Sequence, residues 1–186
     1  MLTQDIIEKL KLTDWPRILR IANSLDDCND AQWRFVKGLV IELALEKYSN
    51  PNDIRYVGGV HKDYEWFLLD GLIIDIELKS VVSSSFYTKK GQLRPKISVK
   101  LTNSNGTNKK SALSPTDICD VLLILKSDGV VAVDKNTIIA NQQSCGDGFM
   151  LNLNKSDVVE ITGKLEVCYT TLGLKHTIMK AIYDAI

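Results

Sequence analysis

The 186-residue sequence has no run of apolar residues approaching the roughly 18 that cross a bilayer. It has only two histidines, His61 and His176, and its four cysteines, Cys28, Cys119, Cys145 and Cys168, form no CxxC pair. A structural zinc site needs four clustered soft ligands, commonly in close pairs, so zinc-built folds are excluded. No cysteine has a neighbouring histidine to activate it, which removes covalent thiol chemistry and leaves reduced, structural thiols of a cytoplasmic protein. Gly58-Gly59 lacks the GxGxxG or GK[ST] context of a phosphate-binding loop. The opening MLTQDIIEKLKL carries charges every few residues, unlike a secretory signal. Net charge is missing too: 23 Lys and Arg balance 23 Asp and Glu, which argues against a free-standing nucleic-acid binder held by bulk charge. What remains, 45% hydrophobic and 25% charged without repeats or low-complexity tracts, is the composition of one globular domain.

The first 50 residues read as helical. Ile6, Ile7 and Leu10 recur at helical spacing in a first helix. Thr13 or Asp14 can cap a second, with Pro16 in its first turn and Ile18, Leu19, Ala22 and Leu25 on one face. Asp30 can cap a third, Ala31 to about Tyr48, whose apolar stripe is expected to be Val36, Leu39, Val40 and Leu43. From Ile54 the character changes to strands: 64–69 and 72–82 around Asp70-Gly71, then 97–101, then 119–125 and 130–133 around Asp128-Gly129. Short strands are expected near 149–153 and 165–169, and a closing helix over 174–186. Helices, then strands, then a helix predict an α/β (α+β) domain around a mixed sheet. N-terminal helices occupy 1–30, a core 31–135, and short strands with the last helix 136–186.

The chemically informative stretch runs from Asp63 to Lys79. Residues two apart in a strand share a face, so Ile74, Ile76 and Leu78 point one way and Asp75, Glu77 and Lys79 the other. A two-residue turn at Asp70-Gly71 sets Asp63 opposite Leu78; a three-residue loop, 69–71, with left-handed Gly71 sets it opposite Glu77. In the second case two carboxylates and an ammonium converge, which suits Mg²⁺ with a water beside it. If Asp63 is displaced, Asp75 is the next carboxylate. Glu42, at the boundary of the third helix's stripe, can add another. Read blandly, the same residues are a solvated strand face and an exposed helix glutamate.

Charge is unevenly spread. Between Leu78 and Thr116 lie Lys79, Lys89, Lys90, Arg94, Lys96, Lys100, Lys109 and Lys110 with no acid, leaving 15 basic and 23 acidic residues elsewhere. A basic segment starting at the acidic site fits a polyanion laid across it, with Lys89, Lys90, Arg94, Lys96 and Lys100 as contacts.

At these residues the sequence resembles the PD-(D/E)XK nuclease superfamily, whose pattern is an Asp at one strand's start and Glu/Asp-x-Lys on the next. Asp63 fits the first position, although Lys62 stands where the pattern has Pro, and Glu77 and Lys79 fit the second. The resemblance spans roughly residues 31 to 135. It implies the restriction-endonuclease-like fold, a central mixed sheet flanked by helices, and Mg²⁺-dependent hydrolysis of a DNA phosphodiester. It also implies a metal contact from the Leu78 carbonyl and a helix carboxylate at Glu42. Within the superfamily the chain looks like the small catalytic subunit of a heterodimeric type IIS restriction endonuclease. That kind of subunit cleaves one strand of double-stranded DNA beside a larger, DNA-recognising, nicking partner. Two other readings stand beside it: a self-sufficient nuclease of the same fold (a homodimeric restriction enzyme or junction resolvase), and a non-catalytic DNA- or protein-binding domain.

Overall fold

The computed structural model describes residues 2–25, 31–49, 53–59, 62–68, 71–80, 87–89, 92–94, 96–102, 118–126, 129–145, 148–162 and 182–184. Three helices lead. α1 (Gln4–Lys11) is capped by the Thr3 hydroxyl, which accepts from Ile6 N–H. α2 (Trp15–Ser24) is capped by Asp14, with Pro16 where a missing N–H costs nothing. The Trp15 indole donates to the Leu10 carbonyl at 2.6 Å and pins α2 to the end of α1. α3 (Ala31–Tyr48) follows with the expected bounds.

Eleven strands follow among the described residues: β1 (Ile54–Gly59), β2 (Lys62–Phe67), β3 (Ile73–Ser80), β4 (Tyr87–Lys89), β5 (Gln92–Arg94), β6 (Lys96–Thr102), β7 (Val121–Lys126), β8 (Gly129–Asp134), β9 (Gln142–Cys145), β10 (Gly148–Asn154) and β11 (Val159–Glu160). The main sheet has the order β1-β2-β3-β7-β8-β11. It is mixed: β3 and β7 run parallel, and every other neighbouring pair is antiparallel. β6, β10 and β9 form a second sheet, and β4 pairs with β5 alone. The chain is thus mixed α+β with a six-stranded central sheet.

Strand alternation sorts the core into two layers. Val121, Leu123 and Leu125 of β7 and Val130 and Ala132 of β8 join the helical layer with Leu10, Trp15, Ile18, Leu19, Ile41 and Leu45. Leu122, Ile124, Val131 and Val133, one residue out of phase, join Val99, Phe149, Leu151 and Leu153 of the second sheet and Ile138. These two strands are therefore apolar on both faces, as strands covered on both sides must be. β3 differs. Ile74, Ile76 and Leu78 enter the helical layer, whereas Asp75, Glu77 and Lys79 occupy the other face.

Two expectations are corrected. The face of α3 that packs is Val40, Ile41, Ala44 and Leu45, while Leu39 and Leu43 stay 43% and 36% exposed. Apolar and charged residues are both spread round α3, so periodicity did not single out one stripe; contact with the sheet did. A helix not anticipated within 136–186, α4 (Lys135–Asn141), starts where Asp134 at the end of β8 accepts from Thr137 N–H at 2.9 Å. Seven residues are too few for a periodic signal, and the cap was its only mark in the sequence. The proposed Asp30 cap, His61, Lys90, Lys109, Lys110, the strand at 165–169, His176 and most of the closing helix lie outside the described residues. Residues 182–184 are helical, and the Asp184 carbonyl accepts from Lys47 and Tyr48 of α3.

Candidate active site

The β2–β3 hairpin decides which residues meet. Leu68 N–H donates to the Leu72 carbonyl at 2.9 Å, Gly71 N–H donates to the Leu68 carbonyl at 3.0 Å, and Gly71 has φ +80°. Three residues therefore separate the last pair, and the register runs Phe67–Ile73, Trp66–Ile74, Glu65–Asp75 and Tyr64–Ile76. Of the two loops the sequence allowed, this is the one that carries Asp63 toward Glu77. The ladder itself stops at Tyr64–Ile76, one pair short of them. Antiparallel hydrogen-bonded pairs recur every second residue, so the Leu78 N–H would next meet the Lys62 carbonyl. It donates instead to Asp63 Oδ2, at 2.7 Å. The strands part here, and the Asp63 carboxylate takes the place of a backbone acceptor.

The parting frees Lys62 to reach across. Its Nζ lies 2.7 Å from Asp75 Oδ1 and 2.8 Å from Glu65 Oε1. Asp75 is held again at its backbone, whose N–H donates to Asp120 Oδ2 and whose carbonyl accepts from Asp120 N–H. Asp75 is thus tied up in joining β3 to β7, and Asp63 is the carboxylate that faces Glu77.

Glu77 is 4% exposed, beside Leu122 on the face covered by the second layer. One carboxylate oxygen contacts Lys79 Nζ; the other, Oε2, is buried with no hydrogen-bond partner among the described residues. Burial pushes its pKa up to about 7, with Lys79 opposing and the charges of Asp63 and Glu42 adding to the rise. Burial works against the Lys79 ammonium, but Glu77 first, and then Asp63 and Glu42, outweigh it and hold its pKa above the ordinary lysine value. Glu42 is half-buried; desolvation and then the Asp63 charge raise its pKa, while Tyr56 and the Lys79 charge pull it down. Asp63, Glu77 and Lys79, named from the sequence as one converging set, and Glu42, named as a further carboxylate, therefore lie within one another's fields.

Two tyrosines that the sequence did not flag belong to the same cluster. The buried Tyr64 hydroxyl donates to the Glu42 backbone carbonyl, and burial, then the Glu42 and Asp63 charges, drive its pKa far up. The Glu42 charge, first of several causes, raises the Tyr56 pKa. Both stand on strands whose aromatic residues read simply as strand formers, so only the pairing of β1, β2 and α3 could show their role. Lys89 ends β4, Arg94 ends β5, and Lys96 and Lys100 lie on β6, so these four basic residues are divided between two sheets. A cleft of about 830 Å³, lined by Leu12, Leu68, Leu72 and Ile73 among others, opens at the opposite end of β3, away from the acidic cluster.

The donor set fits a hard divalent cation in kind: carboxylate oxygens from Asp63 and Glu77, one of them buried and unsatisfied, with the Leu78 backbone beside them. As they stand, no three His, Cys, Asp or Glu side chains among the described residues converge closely enough to hold an ion. The Lys79 ammonium lies against Glu77 and supplies the positive charge the carboxylates need. Among the described residues, no helix is long and apolar enough to cross a membrane. Comparisons with models of known families, with curated proteins and with solved structures returned no match.

Proposed function

We propose that this chain is a Mg²⁺-dependent endonuclease of the PD-(D/E)XK type with the restriction-endonuclease-like fold. In this reading it is the cytoplasmic cleaving subunit of a type IIS restriction system. A larger partner would recognise and nick the double-stranded DNA, and this subunit would cleave the other strand. The observation that carries the reading is the convergence of Asp63, Glu77 and Lys79 where β2 and β3 part, with Glu77 buried and half unsatisfied. Buried unsatisfied charge is costly to keep, and such sites are characteristically catalytic or ligand-binding.

Asp63 and Glu77 would hold the cation, with the Leu78 carbonyl as a further donor and Glu42 at the margin. When bound, Mg²⁺ lowers the pKa of a water and neutralises charge on the phosphate. Lys79 is held protonated by its acidic neighbours, so it acts as a donor and a positive charge. It orients the attacking water and offsets charge on the phosphoryl oxygens rather than taking a proton. Lys89, Lys90, Arg94, Lys96 and Lys100 would line the DNA backbone.

Relaxation of supercoiled plasmid with Mg²⁺ tests the reading, with the chain alone at a high protein-to-plasmid ratio and together with a DNA-recognising subunit. Wild type introduces single-strand nicks, and Glu77→Ala or Lys79→Ala lowers the rate at least about 100-fold without loss of the folded state. Wild-type rates in either variant would overturn the site. Efficient cutting of both strands at a defined sequence by the chain alone would overturn its role as a subunit while leaving the nuclease.

A further inference from the structure

The second sheet has two unlike faces. Val99 of β6 and Phe149, Leu151 and Leu153 of β10 are buried in one cluster with the outward-phased residues of β7 and β8. The residues alternating with them fall on the outer face. There the ladders set Met150 opposite Lys100 and Gln143, and Asn152 opposite Ser98. Lys96 and Lys100 stand on either side of Ser98 in that register, so both positions are diagonal neighbours of Asn152, about 7–8 Å away. Two segments distant in the sequence thus share one surface.

Three features set this face apart. None of β6, β9 and β10 carries an Asp or Glu, whereas strands of the main sheet carry Asp63, Glu65, Asp75, Glu77, Asp134 and Glu160. Next, Asn152 stands inside the central strand, where asparagine is among the residues least suited to the pleat. Its side-chain amide donates to Gln143 Oε1 at 3.1 Å, so the two amides orient each other. Asn154, by contrast, has a local explanation: it precedes the 155–157 turn, and its N–H donates to Asp157 Oδ2 at 2.7 Å. Last, Phe149, the one aromatic residue of these strands, is in the core at 4% exposure, so the outer face offers no ring on which unpaired bases could stack.

We infer that this outer face holds the sugar-phosphate backbone of duplex DNA. Lys96 and Lys100 supply the charge, and Asn152, steadied by Gln143, is a neutral donor between them. The choice of DNA rests on the nuclease reading above, but the contact itself needs neither a cation nor cleavage. The two lysines are about 13 Å apart along β6, about four steps of one duplex strand. Lysine and amide contacts to phosphate hold a duplex in place without reading its sequence.

The test is fluorescence anisotropy of a labelled duplex of about 20 base pairs at about 50 mM salt with EDTA, so that no cation-dependent step enters. Asn152→Val is the informative change because valine is the better strand former. It should leave the chain at least as stable as wild type in thermal unfolding, yet weaken duplex binding about 5-fold with an unchanged salt slope, since a neutral donor releases no counterion. Asn152→Glu should weaken binding about 10-fold or more, and Gln4→Glu, the same added charge on exposed α1 in the other layer, less than about 2-fold. Equal effects of the two glutamates would show that only bulk charge matters, and would overturn the inference. So would full duplex affinity in Asn152→Val, tighter binding of the corresponding single strand, or binding of phosphatidylserine vesicles in place of DNA. Plasmid nicking that survives Asn152→Glu at the wild-type rate would sink this face and spare the nuclease. Duplex binding with the expected losses but no nicking under any condition would sink the nuclease and spare this face.

Discussion

At the scale of single residues, Glu77 couples stability to pH. A carboxyl whose pKa rises on folding, here from 4.5 to about 7, is protonated more in the folded state than in the unfolded one between those values. Its contribution is therefore most favourable below about pH 4.5 and is lost as pH rises through 7. Relative to Glu77→Gln, wild type should lose on the order of 2–3 kcal/mol between about pH 4.5 and 8, read by urea unfolding without divalent ions. Parallel pH profiles for the two proteins would mean that Glu77 titrates normally. Tyr64→Phe removes the hydroxyl that holds the Glu42 carbonyl and should cost about 1 kcal/mol, since a single neutral hydrogen bond contributes about that much.

At the scale of elements, α3 and the β2–β3 hairpin carry separable predictions. Leu45 of α3 is buried in the helical layer and Leu43, two residues away, is exposed. Leu45→Ala should cost about 2–5 kcal/mol and Leu43→Ala within about 0.5 kcal/mol, measured by denaturant unfolding. The reverse order would restore the stripe expected from periodicity. In the hairpin, Gly71 at φ +80° has nothing within 4 Å of an added Cβ, so the penalty on Gly71→Ala is backbone strain alone. That should be about 1–2 kcal/mol, with nicking per folded molecule retained because the register and the site stay in place. A large loss of nicking without a loss of stability would show that the register is not what the site needs.

At the scale of the molecule, the balance of charge conceals a basic segment between Leu78 and Thr116 set against an acidic remainder. Under the nuclease reading, binding of the chain to duplex DNA should be weak, indifferent to sequence and steeply salt-dependent. Combined Lys89→Ala, Lys96→Ala and Lys100→Ala substitutions should flatten the plot of log affinity against log salt by about 0.9 for each phosphate that is no longer neutralised. An unchanged slope would place the DNA elsewhere. The two-layer core explains why the site can be both buried and charged. β7 and β8 fill both layers with apolar residues, while β3 beside them gives one face to Asp75, Glu77 and Lys79. Glu77 therefore loses its water to its neighbours' packing.

Local chemistry alone determined much of this protein: the three leading helices, the two hairpins, the alternation that puts Glu77 and Lys79 on one face of β3, and the candidacy of Asp63. Those features depend on residues close together in the chain, where spacing is enough. The tertiary structure decided the rest. It chose the three-residue loop over the two-residue turn, tied Asp75 to Lys62 and Asp120, and rotated α3 so that Leu45 packs and Leu39 does not. It also set the Tyr64 hydroxyl on the Glu42 carbonyl and brought Tyr56 within reach of the Glu42 charge. Each of these joins groups brought together only by strand pairing or by the seating of a helix on the sheet. Such contacts, and the burial that shifts the pKa of Glu77, arise when distant segments exclude water together, which no local pattern of residues encodes.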